Sequence, residues 1–160
     1  NDDTYRKIDL THYRSQIGSI ITGETPFEGT VLENLTFNNP TIPHENIKWA
    51  IDSMKLGDFI KSLPNGLDSK IYPEGKQLSS SNAQKILLAR SIINKPKILF
   101  YEDPLDKMDE DAAKEIIDFI TDSKHQWTVI VSSKNEYWKQ KCNRNIIMTE
   151  GKISYDSKVN

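Results

Sequence analysis

Residues 77–109, QLSSSNAQKILLARSIINKPKILFYEDPLDKMD, constrain the fold of this chain more than any other stretch. They read as a loop, an amphipathic helix, a break at Asn94-Lys95-Pro96, an apolar strand and an acidic turn. Ser79, Ser80, Ser81 and Asn82 are capping residues, whose short side chains accept hydrogen bonds from the unpaired first amides of a helix. Ala83, Ile86, Leu87 and Ile93 follow helical spacing, and Leu88, Ala89 and Ile92 widen the apolar stripe. Pro96 stops the helix. Ile98, Leu99, Phe100 and Tyr101 then run without a polar break, which predicts a strand buried on both faces of a parallel sheet. The strand closes on two adjacent carboxylates, Glu102 and Asp103. Ligands bind at the carboxyl ends of strands in α/β sheets, although such a pair equally marks a strand end with no ligand.

The remainder of the chain is consistent with one α/β domain or part of one. Its 160 residues are 36% hydrophobic with a net charge of -2, which gives no electrostatic reason to expect nucleic acid as a partner. No apolar run approaches the roughly 18–20 residues needed to cross a bilayer. Cys142 stands alone, so neither an intrachain disulfide nor a cysteine zinc cluster can form. The three histidines, His12, His44 and His125, are scattered among polar residues and offer no partner for a cysteine nucleophile. The chain opens without Met and without a basic-then-apolar leader, which reads as a piece of a longer protein.

Taken in order, residues 1–7 are polar and expected to be frayed or extended. Residues 11–16 form a short helix capped by Thr11, 17–21 a strand, 23–26 a loop, and 27–35 a further short helix. Pro43 opens a helix with Ile47, Ala50, Ile51 and Met54 on one face. Gly57 interrupts it, and Asp58 caps a second piece carrying Phe59, Ile60 and Leu63 toward the core. After Asp109, Glu110 and Asp111 place acids at a helix start, and Ala112, Ala113, Ile116, Ile117 and Ile120 form its buried stripe. Residues 128–132 and 145–149 are short apolar strands, and Glu150-Gly151-Lys152 turns the second into a hairpin.

The order of these parts resembles the ATP-binding cassette (ABC) ATPases, exporter type, over nearly the entire chain. Leu78-Ser79-Ser80-Ser81-Asn82 lies where that family has LSGGQ, and Leu88-Ala89-Arg90 lies on the following "ALAR". Residues 97–103 match the Walker B strand, and Met108-Asp109 the D-loop. Arg14, Ile17, Gly18, Phe27, Gly29, Thr30, Glu33 and Asn34 fall on the exporter phrase around the Q-loop. Residues 58–68 resemble the exporter segment that precedes the signature, and Glu74-Gly75 the "EG" next to it. The resemblance implies an α/β fold, the carboxyl-terminal part of a P-loop NTPase (RecA-like) core with parallel strands, plus the helical subdomain. It divides the chain into a core segment of about 8–36 with the Q-loop, a helical subdomain and signature helix at 40–94, and Walker B, D-loop, switch region and terminal hairpin at 95–155.

What the resemblance implies for chemistry follows residue by residue. Glu102 takes the Walker B place that holds magnesium, and Thr22 the Q-loop place, also for magnesium. Asp103 takes the general-base place and Lys134 the switch-histidine place. Ser79, Ser80, Ser81 and Asn82 would face the ATP of an opposite subunit, together with Asp109. Several letters depart: Glu102-Asp103 inverts the usual order, serines replace both signature glycines, Thr22 replaces a glutamine, and Lys134 replaces the histidine. No Gly-x-x-x-x-Gly-Lys followed by Ser or Thr occurs within these residues, since Gly75-Lys76 and Gly151-Lys152 both lack the upstream glycine. The family places that phosphate cradle before the Arg14 segment. A core without its phosphate-binding strand would expose apolar surface. The implied setting is the cytoplasmic face of a membrane, with ATP and Mg2+ as cofactors, a second nucleotide-binding domain as head-to-tail partner, and the transmembrane domain of an exporter. The other reading is an ABC-fold module that has lost turnover and acts as a non-hydrolysing partner or a regulatory, interaction domain.

Overall fold

A computed structural model describes residues 9–158, so the reading of 1–7 as frayed lies outside the described residues. A parallel sheet in the order β1-β4-β5 forms the frame, built from β1 (Ile17–Ile20), β4 (Ile98–Glu102) and β5 (Thr128–Ser132). Parallel pairing requires crossovers. Between β1 and β4 the crossover carries α2 (Val31–Thr36), α3 (His44–Ser53), α4 (Gly57–Ser62) and α5 (Ser80–Ile92), and α6 (Glu110–Thr121) joins β4 to β5. A short helix, α1 (Leu10–Ser15), precedes the sheet, and α7 (Glu136–Lys141) follows it. Two short strands, β2 (Gly29–Thr30) and β3 (Lys70–Ile71), pair antiparallel and tie the start of α2 to the segment before α5.

The core is built around α5. Ile86, Leu88, Ala89 and Ile92 are fully enclosed, as are Leu35 of α2, Ala50 of α3 and Ile117 of α6. Burying one such Leu or Ile side chain contributes about 1.5–3 kcal/mol. The helix lies so close to β1 that a Cβ on Gly18 would stand 2.0 Å from the Ser91 carbonyl oxygen and 2.8 Å from Leu99. Here glycine is required by close approach. Between α5 and β4, Ser91 Oγ and the Tyr101 hydroxyl share a buried 2.8 Å hydrogen bond, and burial raises the Tyr101 pKa above its ordinary value.

Register shows why β4 is not enclosed on both faces, as its apolar run predicts. Gly18, Leu99 and Val129 align across the sheet, as do Ile20, Tyr101 and Val131, and this face packs against the core. The alternate residues form the other face, where Phe100 is 40% and Ile130 51% exposed. Among the described residues nothing encloses that face. A continuous apolar run reports residue type, not which of its two faces the chain itself supplies with a covering layer.

Local corrections have equally plain causes. Asp9, not Thr11, caps α1, accepting from the amides of Thr11 and His12 at 2.9 and 3.2 Å. The predicted helix over 27–35 begins only at Val31, because Thr30 and Glu33 form a capping box there. The Thr30 amide donates to Glu33, which holds that carboxyl below its ordinary pKa. Gly57 is the first residue of α4 rather than a break, and Asp58 makes no capping bond. Phe59, Ile60 and Leu63 are half-buried against the core rather than enclosed. The terminal hairpin of β6 (Arg144–Thr149) and β7 (Lys152–Lys158) has the predicted turn, with Glu150 and Gly151 at φ 50° and 75°. It stands as a separate two-stranded sheet.

Candidate functional site

The carboxyl edge of the parallel sheet gathers four of the sequence-predicted residues. Glu102 ends β4 and Ser132, its partner in register, ends β5. The Glu102 carboxylate lies exposed at this edge, with Oε2 accepting from the Thr22 amide at 3.2 Å. Thr22, just past β1, therefore reaches Glu102 through its backbone. Among the described residues its hydroxyl makes no hydrogen bond.

Asp103 is held by two backbone contacts. Its amide donates to Ser132 O at 2.8 Å, and its Oδ1 accepts from the Lys134 amide at 3.1 Å. Its φ is 40°, in the left-handed region that non-glycine residues seldom occupy and Asp tolerates better than most. Such strain collects at functional sites, where the surroundings over-determine the backbone. Lys134 meets the site by its main chain, and its side chain is exposed. The edge thus brings the Glu102 and Asp103 carboxylates together with the backbone of Thr22 and Lys134. Hard oxygen donors of this kind suit a hydrated divalent cation shared with a phosphate. Among the described residues no group of three or more His, Cys, Asp or Glu side chains could hold a metal by itself.

Ser79, Ser80, Ser81 and Asn82 form the start of α5, as predicted. Ser79 is the N-cap and its Oγ accepts from the Asn82 amide at 3.1 Å. Ser79 and Ser80 are exposed, while Ser81 and Asn82 are half-buried. No hydrogen bond joins them to Glu102 or Asp103 among the described residues. The link from α5 to the turn after β4 runs instead from Gln84 Nε2 to Asp106. Asp109 caps α6, accepting from the Ala112 amide at 2.9 Å. Burial raises the pKa of half-buried Cys142, which favours the unreactive thiol.

One group escaped the sequence reading as a site. Asn34, fully buried, accepts from the Phe27 amide at 3.0 Å and donates to the carbonyls of Phe27 and Thr30 at 2.9 and 3.0 Å. Arg90, far along the chain in α5, donates Nε to Asn34 O and Nη2 to Asn34 Oδ1 at 2.5 and 3.0 Å, and Nη1 to Glu24 at 3.3 Å. Its guanidinium lies 4.5 Å from the Phe37 ring centroid and 5.4 Å from that of Phe27. Burial lowers the Arg90 pKa and the Glu24 carboxylate acts against that shift. The only signal in the sequence was the Glu33-Asn34 and Leu88-Ala89-Arg90 lettering.

The same architecture occurs in a solved structure. A bacterial Atm1-family ABC exporter with ATP bound superposes with a TM-score of 0.85 at 18% identity, over 94% of this chain and 27% of its own. In sequence, the ATP-dependent permease MDL1 of Candida albicans is 31% identical over 164 residues, covering 99% of this chain and 24% of the relative. The chain belongs to the ABC exporter family. Another ABC relative, the multidrug transporter MDR1 of Cryptococcus neoformans, is 28% identical over 153 residues, covering 93% of this chain and 11% of its own length. The chain therefore spans about a quarter or less of the ABC proteins it matches. No protein-family model matches it. No described helix is long and apolar enough to cross a membrane.

Proposed function

We propose that this chain is part of the nucleotide-binding domain of an ABC exporter, working on the cytoplasmic face of the membrane to couple ATP to export. The observation that carries this reading is the convergence of Thr22, Glu102, Asp103 and Lys134 at one sheet edge. Glu102, with a second contribution from Thr22, would hold a magnesium ion. The ion supplies neutralisation of phosphate charge when bound. Asp103 is the base that orients the attacking water, and the Lys134 ammonium neutralises phosphate charge. The start of α5 presents Ser79, Ser80, Ser81 and Asn82 to the ATP of a second nucleotide-binding domain, with Asp109 beside them, in a head-to-tail pair. A helix start favours phosphate by its free amides and dipole. The domain boundaries of about 8–36, 40–94 and 95–155 are part of the same reading.

Turnover in this arrangement is weak. Asp103 is one methylene shorter than a glutamate, and a displacement of about 1 Å can cost roughly 100-fold in rate. A lysine also lacks the neutral hydrogen bonding of an imidazole. Residues 1–160 alone, with no phosphate cradle among them, are not expected to hydrolyse ATP. A second reading, the non-hydrolysing partner or regulatory module, is favoured by one contact. Asp103 Oδ1 already accepts from the Lys134 amide, so its carboxylate serves the scaffold. In the full-length protein, Asp103→Glu with Lys134→His separates the two. A rise in ATP turnover of about tenfold or more supports the degenerate ATPase. No gain supports the scaffold.

A further inference from the structure

The segment 22–27 is gripped from three sides. At its start, the Thr22 amide is tied to Glu102 at the end of β4. At its end, Asn34 of α2 binds both the amide and the carbonyl of Phe27. Between them, Glu24 is held by Arg90, whose side chain is only 8% exposed. Arg90 also holds Asn34 itself, so its fork joins two of the three grips. The flat guanidinium lies against the Phe27 and Phe37 rings, which stack 5.6 Å apart. No other residue type supplies this planar fork together with ring stacking.

Arg90 belongs to α5, the same continuous helix that begins at Ser80. Ten residues at 1.5 Å each put it about 15 Å along that helix from the serine cluster. The helix is unbroken from Ser80 to Ile92, and Ile86, Leu88 and Ile92 pack it on the core, so it is stiff between the serines and Arg90. A tilt at its start therefore reaches Arg90, and through Arg90 reaches Glu24, Asn34 and Phe27.

We propose that Arg90 is the positioning residue by which displacement of the start of α5 is passed to segment 22–27. This rests on the reading above that the start of α5 meets nucleotide. The transmitting element is a single buried guanidinium, and it joins the helix to the same segment that Glu102 holds from the other end. Segment 22–27 then reports both nucleotide-facing elements at once, one through Thr22 and one through Glu24.

Hydrogen exchange with mass detection on the full-length protein, with and without ATP and Mg2+, tests this. In the unaltered protein, nucleotide is expected to slow exchange in both 79–85 and 22–27. In Arg90→Lys, which keeps the charge but loses the fork and the stack, the response at 79–85 persists and the response at 22–27 falls at least about fivefold. Glu24→Ala removes one grip at a partly exposed position without threatening the fold, and weakens the response at 22–27 in the same direction. Uniformly faster exchange in Arg90→Lys together with an unchanged response in Glu24→Ala would assign Arg90 to stability alone and overturn the proposal. So would an undiminished response at 22–27 in both variants. If neither segment of the unaltered protein responds to nucleotide, the reading of α5 as nucleotide-facing has failed, and the proposal with it.

Discussion

Asn34 is the residue whose removal should reveal most about how this fold holds its loop. Its side chain is fully buried and makes four hydrogen bonds, to Phe27 N, Phe27 O, Thr30 O and Arg90 Nη2, between 2.9 and 3.0 Å. Asn34→Ala removes all four. Each such bond is worth about 0.5–1.5 kcal/mol net, and the charged one from Arg90 stands at the upper end. Phe27 is only half-buried, so water can recover part of the loss at its backbone. The sum is about 3–4 kcal/mol, a large share of the 5–15 kcal/mol typical of a domain. Urea unfolding followed by circular dichroism should show the midpoint falling at an unchanged slope. A loss below about 1 kcal/mol for Asn34→Ala would refute the claim that this side chain organises segment 22–27.

Two further outcomes follow from the packing and the charges. Gly18→Ala places a methyl 2.0 Å from the Ser91 carbonyl, against backbone that cannot rotate away. It should destabilise by about 3 kcal/mol or more in the same unfolding assay, although φ at this position is ordinary. His125 stacks on Trp127 at 4.2 Å, with Phe119 at 4.5 Å, and its buried Nε2 has no partner among the described residues. Burial lowers its pKa below the ordinary 6.5, with Lys124 acting the same way and Asp122 against. The unfolded chain then takes up the proton first, so stability is full above about pH 6.5 and falls as the pH drops below it. Asp118 and Asp122 also titrate below their ordinary value, each chiefly through a lysine hydrogen bond, but their contribution is lost only near and below the carboxylate range. Unfolding midpoints between pH 7 and pH 5 should therefore decline in the unaltered chain and flatten in His125→Phe.

Much of this was legible in local sequence. The helix start at Ser79, the strand 98–102 and the turn at Glu150-Gly151 follow from capping, apolar run and turn chemistry, each decided within a few residues. The exposed face of β4 was not legible, since coverage depends on the sheet's alternation and on which helices cross it. Nor were the contacts that matter most at the site. Arg90 meets Asn34 and Glu24 across separations of 56 and 66 residues, and Asp103 meets Lys134 across 31. The last of these uses a main-chain amide, which every residue except proline possesses. Reading Lys134 for its ammonium thus overlooked the contact its backbone makes with Asp103.

Residues 1–160 keep the fold shared with the ABC exporter, while no Gly-x-x-x-x-Gly-Lys phosphate cradle occurs among them. Calorimetric titration of the chain from Asn1 to Asn160 with ATP and Mg2+ tests this most directly. The account predicts no saturable binding tighter than about 1 mM, because carboxylates and one lysine cannot replace a ring of backbone amides around the phosphates. Stoichiometric binding in the micromolar range, abolished by Glu102→Gln or Lys134→Ala, would contradict it.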